Sequence, residues 1–173
     1  MKLSEVFLNL IDNVNAWIGR CISWVVLLLM LLTVLEVILR RVFNAPTIWS
    51  FEVCTQLFAL NFMIAAAFTL LHDGHVSVDI FRARLSEKNK AVLDIVCYLL
   101  FFFPFTTVML WKGYEYAQMS WATRETSWSV FAPPLYPIKA VIPLTFLLLI
   151  LQGSAVVIRR LQTLRQPKGA AHD

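Results

Sequence analysis

Residues 21–35 read Cys-Ile-Ser-Trp-Val-Val-Leu-Leu-Leu-Met-Leu-Leu-Thr-Val-Leu, and none of these side chains carries a charge. Extended outward to Trp17 and Leu39, the run is long enough to cross a bilayer core of about 30 Å, which takes about 20 helical residues. Its apolar residues are continuous rather than alternating, which excludes a strand of a membrane barrel. Backbone groups in hydrocarbon must be hydrogen-bonded within the segment, so we expect a transmembrane helix.

Three further runs have the same character and contain no charged side chain. The whole chain is 59% hydrophobic and 15% charged, with a mean hydropathy of +0.69, whereas soluble domains are about 45–50% apolar and about 25% charged. We therefore predict an all-α integral membrane protein with a single four-helix membrane domain and a polar cytoplasmic tail. The domain covers residues 1–160, the four spans lie near 17–39, 53–71, 95–111 and 140–158, and the tail covers 161–173.

The distribution of basic residues predicts the orientation. With four spans, both termini and the middle loop share one side of the membrane, and that side holds ten of the 15 Lys and Arg residues. The positive-inside rule then places both termini in the cytoplasm. The longest connection is expected between residues 112 and 139, where Trp and Tyr residues indicate an aromatic belt at the outer surface.

The segment before the first span has a helical pattern of its own. Its apolar residues recur at the three- and four-residue spacing of one helix face. This pattern predicts an N-terminal amphipathic helix, either lying in the cytoplasmic interface or docking on a partner subunit. The residues of this face are Leu3, Val6, Phe7, Leu10, Ile11 and Val14.

Glu36 is the one carboxylate well inside an apolar run. A charged side chain at the bilayer centre costs about 2.5–3.5 kcal/mol on insertion scales, so its presence calls for an explanation. Three interpretations are open: an ion pair with Arg40 one turn away near the outer interface, a contact with a partner subunit, or a proton or cation site. We favour the structural ion pair, because residues four apart lie on the same helix face.

The sequence lacks the patterns of a metal site, a cofactor site or a catalytic centre. His72 and His75 are three residues apart, but Gly74 is expected to break the helix, and a zinc site needs three or four converging ligands. The three cysteines are far apart, and haem would need histidines at membrane depth. The basic residues are scattered at the ends of apolar runs, which does not suit nucleic acid. We predict no enzyme, no cofactor and a lipid bilayer as the surroundings.

Short loop motifs make a family resemblance specific. Residues 40–52 follow Arg-Arg-x-Phe-Asn-x-Pro-x-x-Trp-Ser-x-Glu, and an inner-loop motif is carried by Gly74, His75 and Asp79. Glu-Thr-Ser at 125–127 precedes a proline-rich stretch at 133–143. Together with four spans, these motifs resemble the small membrane subunit of tripartite ATP-independent periplasmic (TRAP) transporters. The resemblance covers nearly the whole chain except the leader and the tail.

The resemblance implies a role that composition alone does not. Members of the family work in the bacterial inner membrane with a large many-span subunit that binds substrate and sodium ions and moves in an elevator-like cycle. A periplasmic solute-binding protein delivers an organic anion, often a carboxylate or a sulfonate. The small subunit is then a non-catalytic scaffold, and no substrate or ion ligand is transferred to this chain.

The same resemblance predicts a periplasmic docking surface on the two outer connections. A different class of function is also open: a self-sufficient, proton-coupled carrier built around Glu36. A membrane anchor for a redox complex is a third, weaker hypothesis. The residues expected near the docked binding protein are Trp49, Glu52, Arg124, Glu125, Thr126 and Ser127.

Overall fold

The computed structural model describes residues 2–72 and 86–165, and within them the chain is almost entirely helical. Four helical segments are long and apolar enough to cross a membrane, which confirms the predicted fold class. The inner-loop motif of Gly74, His75 and Asp79 and the tail after residue 165 lie outside the described residues. The helices are α1 (Lys2–Arg41), α2 (Ser50–Leu71), α3 (Glu87–Cys97), a π-helical turn (Tyr98–Phe102), α4 (Phe103–Thr123) and α5 (Tyr136–Arg165).

Helix α1 joins the predicted leader and the first span without a break. Its 40 residues correspond to about 60 Å of helix, roughly twice the thickness of a bilayer core. The leader is therefore helical, but it continues the direction of the span instead of forming a separate helix. Leu8, Ile11 and Asn15 are buried, whereas Val6 and Leu10 are exposed. The buried face packs on α5, and much of the apolar face that the sequence singled out points outward.

The third span continues from α3 through the π-helical turn into α4. Pro104, the second residue of α4, has no N–H to give to the preceding turn of helix. The wider turn accommodates this, because the N–H of Phe103 bonds to the carbonyl of Tyr98, five residues back. Helix α4 then continues to Thr123. The predicted connection over 112–139 is therefore longer than the connection in the structure, which covers 124–135, because polar and aromatic residues continue the helix as far as Thr123.

Helix α5 is the central element of the fold and contacts α1, α2, α3 and α4. In its most apolar window 44% of the residues are buried, against 6%, 11% and 6% in the other three spans. Leu148 and Leu149 form the core with Ala67 and Leu70 of α2. Gly153 permits a close approach, because a Cβ there would lie 2.5 Å from the ring of Phe102.

A polar cluster joins α1 to α5 near the end of the bundle where α1 begins and α5 ends. Asn15 Nδ2 donates to Gln152 Oε1 at 2.6 Å, and Gln152 Nε2 donates to Asp12 Oδ1 at 3.2 Å. Arg159 forms an ion pair with the same aspartate. Asn15 and Gln152 are only 2% and 0% exposed, so this cluster fixes the relative position of α1 and α5 inside the fold.

Candidate functional site at the loop end

The opposite end of the bundle carries the two connections 42–49 and 124–135, and we call it the loop end. Helix α1 ends there at Arg41, and Asn44, three residues further on, lies in the left-handed region at φ 49°. Asparagine tolerates this conformation better than most residues, because its side chain bonds locally. The N–H of Ala45 then donates to the carbonyl of Leu39 at 3.0 Å, which closes the helix end. The family-like stretch 40–52 is thus a tight connection into α2.

Glu36 ties this first connection back to α1. Arg40 Nη2 lies 2.9 Å from Glu36 Oε1, and the hydroxyl of Thr47 donates to Glu36 Oε2 at 2.6 Å. The backbone N–H of Thr47 reaches the same oxygen at 3.4 Å. Both carboxylate oxygens therefore already accept hydrogen bonds. Hydrogen bonding of this kind lowers the free-energy cost of placing a carboxylate near an apolar segment.

The second connection, 124–135, is held in a narrow hairpin-like shape. Arg124 ends α4 in the left-handed conformation, at φ 46°. The N–H of Ser127 donates to the carbonyl of Pro133 at 3.0 Å, and the N–H of Leu135 donates to the carbonyl of Glu125 at 2.9 Å. These two bonds close the hairpin near its base and leave its tip free.

Glu125 anchors the base of the hairpin to α5. Lys139 Nζ lies 2.5 Å from Glu125 Oε2 and 4.1 Å from the centre of the Tyr116 ring. This ammonium group is only 12% exposed at its side chain, and it holds the pKa of the Glu125 carboxyl below its ordinary value. A carboxylate, an ammonium group and an aromatic face thus join the hairpin to α4 and α5.

Glu52 connects the hairpin to α2. The hydroxyl of Ser127 donates to Glu52 Oε1 at 3.0 Å, across 75 residues of sequence. Gln56, one turn further along α2, donates to the carbonyl of Pro134 at 3.3 Å. The other oxygen of Glu52 is buried and has no hydrogen-bond partner among the residues that the structure describes. The hairpin is therefore held by α2 on one side and by α5 on the other.

The six predicted docking residues all lie at the loop end, but they differ in what they contact. Glu52, Glu125 and Ser127 are half-buried and engaged in the contacts above, and Trp49 is half-buried as well. Arg124 and Thr126 are exposed. The sequence placed Trp128 in the aromatic belt but not among the docking residues, and it did not single out Val130; both side chains are almost fully exposed at the hairpin tip. The sequence does contain a pattern that could have indicated them, because both are large apolar residues between the Glu-Thr-Ser motif and the prolines.

Within residues 2–72 and 86–165, no group of three His, Cys, Asp or Glu side chains is placed to hold a metal ion. Cys21, Cys54 and Cys97 are free thiols. The polar groups of the loop end bond mainly to one another, and they shape two connections rather than enclose a solute. The loop end is therefore a surface whose two connections are held in place by hydrogen bonds among its own residues.

The fold and this surface define a small, all-α integral membrane protein with four membrane-crossing helices. A family model described as "Tripartite ATP-independent periplasmic transporters, DctQ component" matches residues 29–163. The chain belongs to this family and is the small component of a TRAP transporter, which makes it a transporter component rather than a member of an enzyme family. Comparison with individually curated proteins gave no match.

Proposed function

We propose that this chain is the non-catalytic scaffold subunit of a sodium-coupled importer of an organic anion. In this function it braces the large many-span subunit in the bacterial inner membrane. Its loop end faces the periplasm, where it helps to dock the solute-binding protein, and both termini are cytoplasmic. The family assignment and the excess of basic residues on the side of the termini support this proposal.

The observation that carries the scaffold role is the uneven burial of the four spans. Helix α5 is packed inside the fold, whereas the other three spans have only 6–11% of their apolar windows buried. Trp24 and Leu31 of α1, for example, are 73% and 68% exposed. Lipid covers part of these faces, and the remaining apolar surface is available to a larger membrane subunit.

The docking role is supported by the hydrogen bonds and the ion pair that hold the hairpin, and only some of the six predicted residues are free to contact a partner. Glu52, Glu125 and Ser127 fix the hairpin from inside, and the exposed Arg124, Thr126 and Trp128 remain available to a partner. A pre-ordered surface loses less entropy on binding than a flexible loop does. Charge reversal at Glu52 or Glu125 would therefore disturb the hairpin as well as the docking of the binding protein.

Co-purification tests the proposal directly. We expect the tagged chain to retain a many-span partner from the membranes of its own organism, and Arg124→Glu to keep this complex but weaken binding of the periplasmic protein. Lys112→Glu is the matched control, because Lys112 is also exposed but lies on α4, outside the hairpin. A chain that transports a solute alone in liposomes, without a second subunit, would contradict the scaffold role.

A further inference from the structure

A groove of about 380 Å³ lies between α1 and α2 near the loop end. Arg40 and Arg41 line its upper part, at the C-terminal end of α1. Thr33 and Cys54 line its lower part, further into the membrane-crossing segments. The lining of α1 from Arg41 back to Thr33 covers about 12 Å of helix. The groove thus has a cationic end at the loop end and a largely apolar floor towards the middle of the spans.

The net charge of the groove favours a ligand that carries one negative charge. Two arginines and one glutamate, Glu36, leave one net positive charge among the lining residues. Arg40 is paired with Glu36 but its side chain is still 60% exposed. Arg41 is exposed and forms no ion pair with any residue of 2–72 or 86–165. A phosphodiester, with its single negative charge, complements this arrangement and matches the donors of a guanidinium group.

The same contacts discriminate between headgroups. A zwitterionic phospholipid brings an ammonium group as well as a phosphate, and that group needs an acceptor. Among the described residues that line the groove, Glu36 is the only carboxylate, and its two oxygens already accept from Arg40 and Thr47. An ammonium group therefore finds no free carboxylate there, whereas an uncharged headgroup on an anionic lipid needs none.

We propose that this groove binds one anionic phospholipid of the phosphatidylglycerol class. Its phosphate lies against Arg41 and the exposed side of Arg40, at the level where headgroups meet the end of a membrane helix. One acyl chain follows the groove past Val37 and Cys54. The lipid fills the space between α1 and α2 and is independent of the role proposed for the hairpin.

Native mass spectrometry of the full-length chain tests this proposal. The protein is released from nanodiscs that contain both phosphatidylglycerol and phosphatidylethanolamine, and retained lipids are counted. We expect one phosphatidylglycerol to be retained in preference, and Arg41→Gln to lower this retention about fivefold, the effect of removing one cation near a lipid surface. Arg124→Gln is the matched control: it removes an exposed cation at the loop end but outside the groove, so retention should not change.

A second variant tests the acyl-chain part of the groove. Val37→Trp fills the floor and leaves both arginines in place, so it should also lower retention. Equal retention of the two lipids by the wild-type protein, or unchanged retention in both Arg41→Gln and Val37→Trp, would overturn the proposal. Displacement of the lipid by inorganic phosphate would show a simple anion site instead of a lipid site.

Discussion

The two ends of the molecule use polar side chains in different ways. Near the termini, Asn15 and Gln152 are almost completely buried and join α1 to α5. At the loop end, each ion pair has one partner open to solvent: the side chains of Arg40 and Glu125 are 60% and 35% exposed, whereas those of Glu36 and Lys139 are 14% and 12% exposed. A polar group that loses its partner inside an apolar fold is costly, whereas an exposed pair contributes little. The buried end therefore sets the helix packing, and the loop end sets the shape of the connections.

The largest effect is expected from breaking the buried cluster. Gln152→Leu leaves the Asn15 amide group without its acceptor and takes one donor from Asp12, which keeps its ion pair with Arg159. We expect a loss of about 1–3 kcal/mol in the free energy of unfolding. Unfolding with a denaturing detergent, followed by circular dichroism, measures this loss. Gln56→Leu is the matched control, since it removes only one long bond at the loop end and should cost less than about 0.5 kcal/mol. Equal losses in the two variants would contradict the comparison.

A smaller and local effect is expected at Glu125. The nearby Lys139 ammonium group lowers the pKa of the Glu125 carboxyl in the folded protein. Because the folded-state pKa is depressed, the contribution of this pair is complete above the ordinary glutamate pKa and is lost as the pH falls through the lowered value. A spin label at Thr126→Cys, in a variant without the native cysteines, should become more mobile at low pH and return to its original mobility when neutral pH is restored.

The control for this pH effect is Glu125→Gln. Without the carboxylate the hairpin base has no ion pair to titrate, so the label should be mobile at neutral pH and change little on acidification. A label whose mobility does not depend on pH in the parent protein would show that Lys139 does not hold the hairpin through Glu125.

The smallest effect is expected from Glu36→Gln. The amide oxygen still accepts from Thr47, and only the exposed pair with Arg40 is lost. A scaffold with this substitution should keep its partner subunit and nearly all of its uptake activity, measured with the complete complex in proteoliposomes. Complete loss of transport with assembly intact would instead favour the proton-coupled carrier built around Glu36.

The main features of the fold were predictable because lipid imposes simple constraints. Each uncharged run of sufficient length had to become a helix, and all four did. Contacts between helices were not predictable in this way. Nothing in the sequence pairs Asn15 with Gln152, 137 residues apart, and the hydrophobic pattern of the leader did not reveal that Leu8 and Asn15 face α5. A hydrophobic pattern identifies which face of a helix is apolar, but in a membrane an apolar face can point to lipid or to protein.

At the loop end, too, the positions of the residues were predictable from the sequence and their contacts were not. The predicted docking residues lie in the two connections or, for Glu52, at the start of α2, because motif spacing locates a loop without giving its contacts. That Glu52 bonds to Ser127 and Glu125 to Lys139 follows only from how α2, α4 and α5 converge. Residues expected on an open surface therefore serve partly as internal supports, and the accessible apolar group is Trp128.

The central position of α5 has a consequence for biogenesis. This helix leaves the ribosome after the other three spans, yet α3 and α4 make most of their contacts with it. The third span therefore enters the bilayer before its principal neighbour has been synthesised, whereas α1 and α2 already contact each other, and α3 and α4 can complete their packing only after insertion of the final span. Premature termination before residue 136 would leave these earlier helices in the membrane without an assembled bundle.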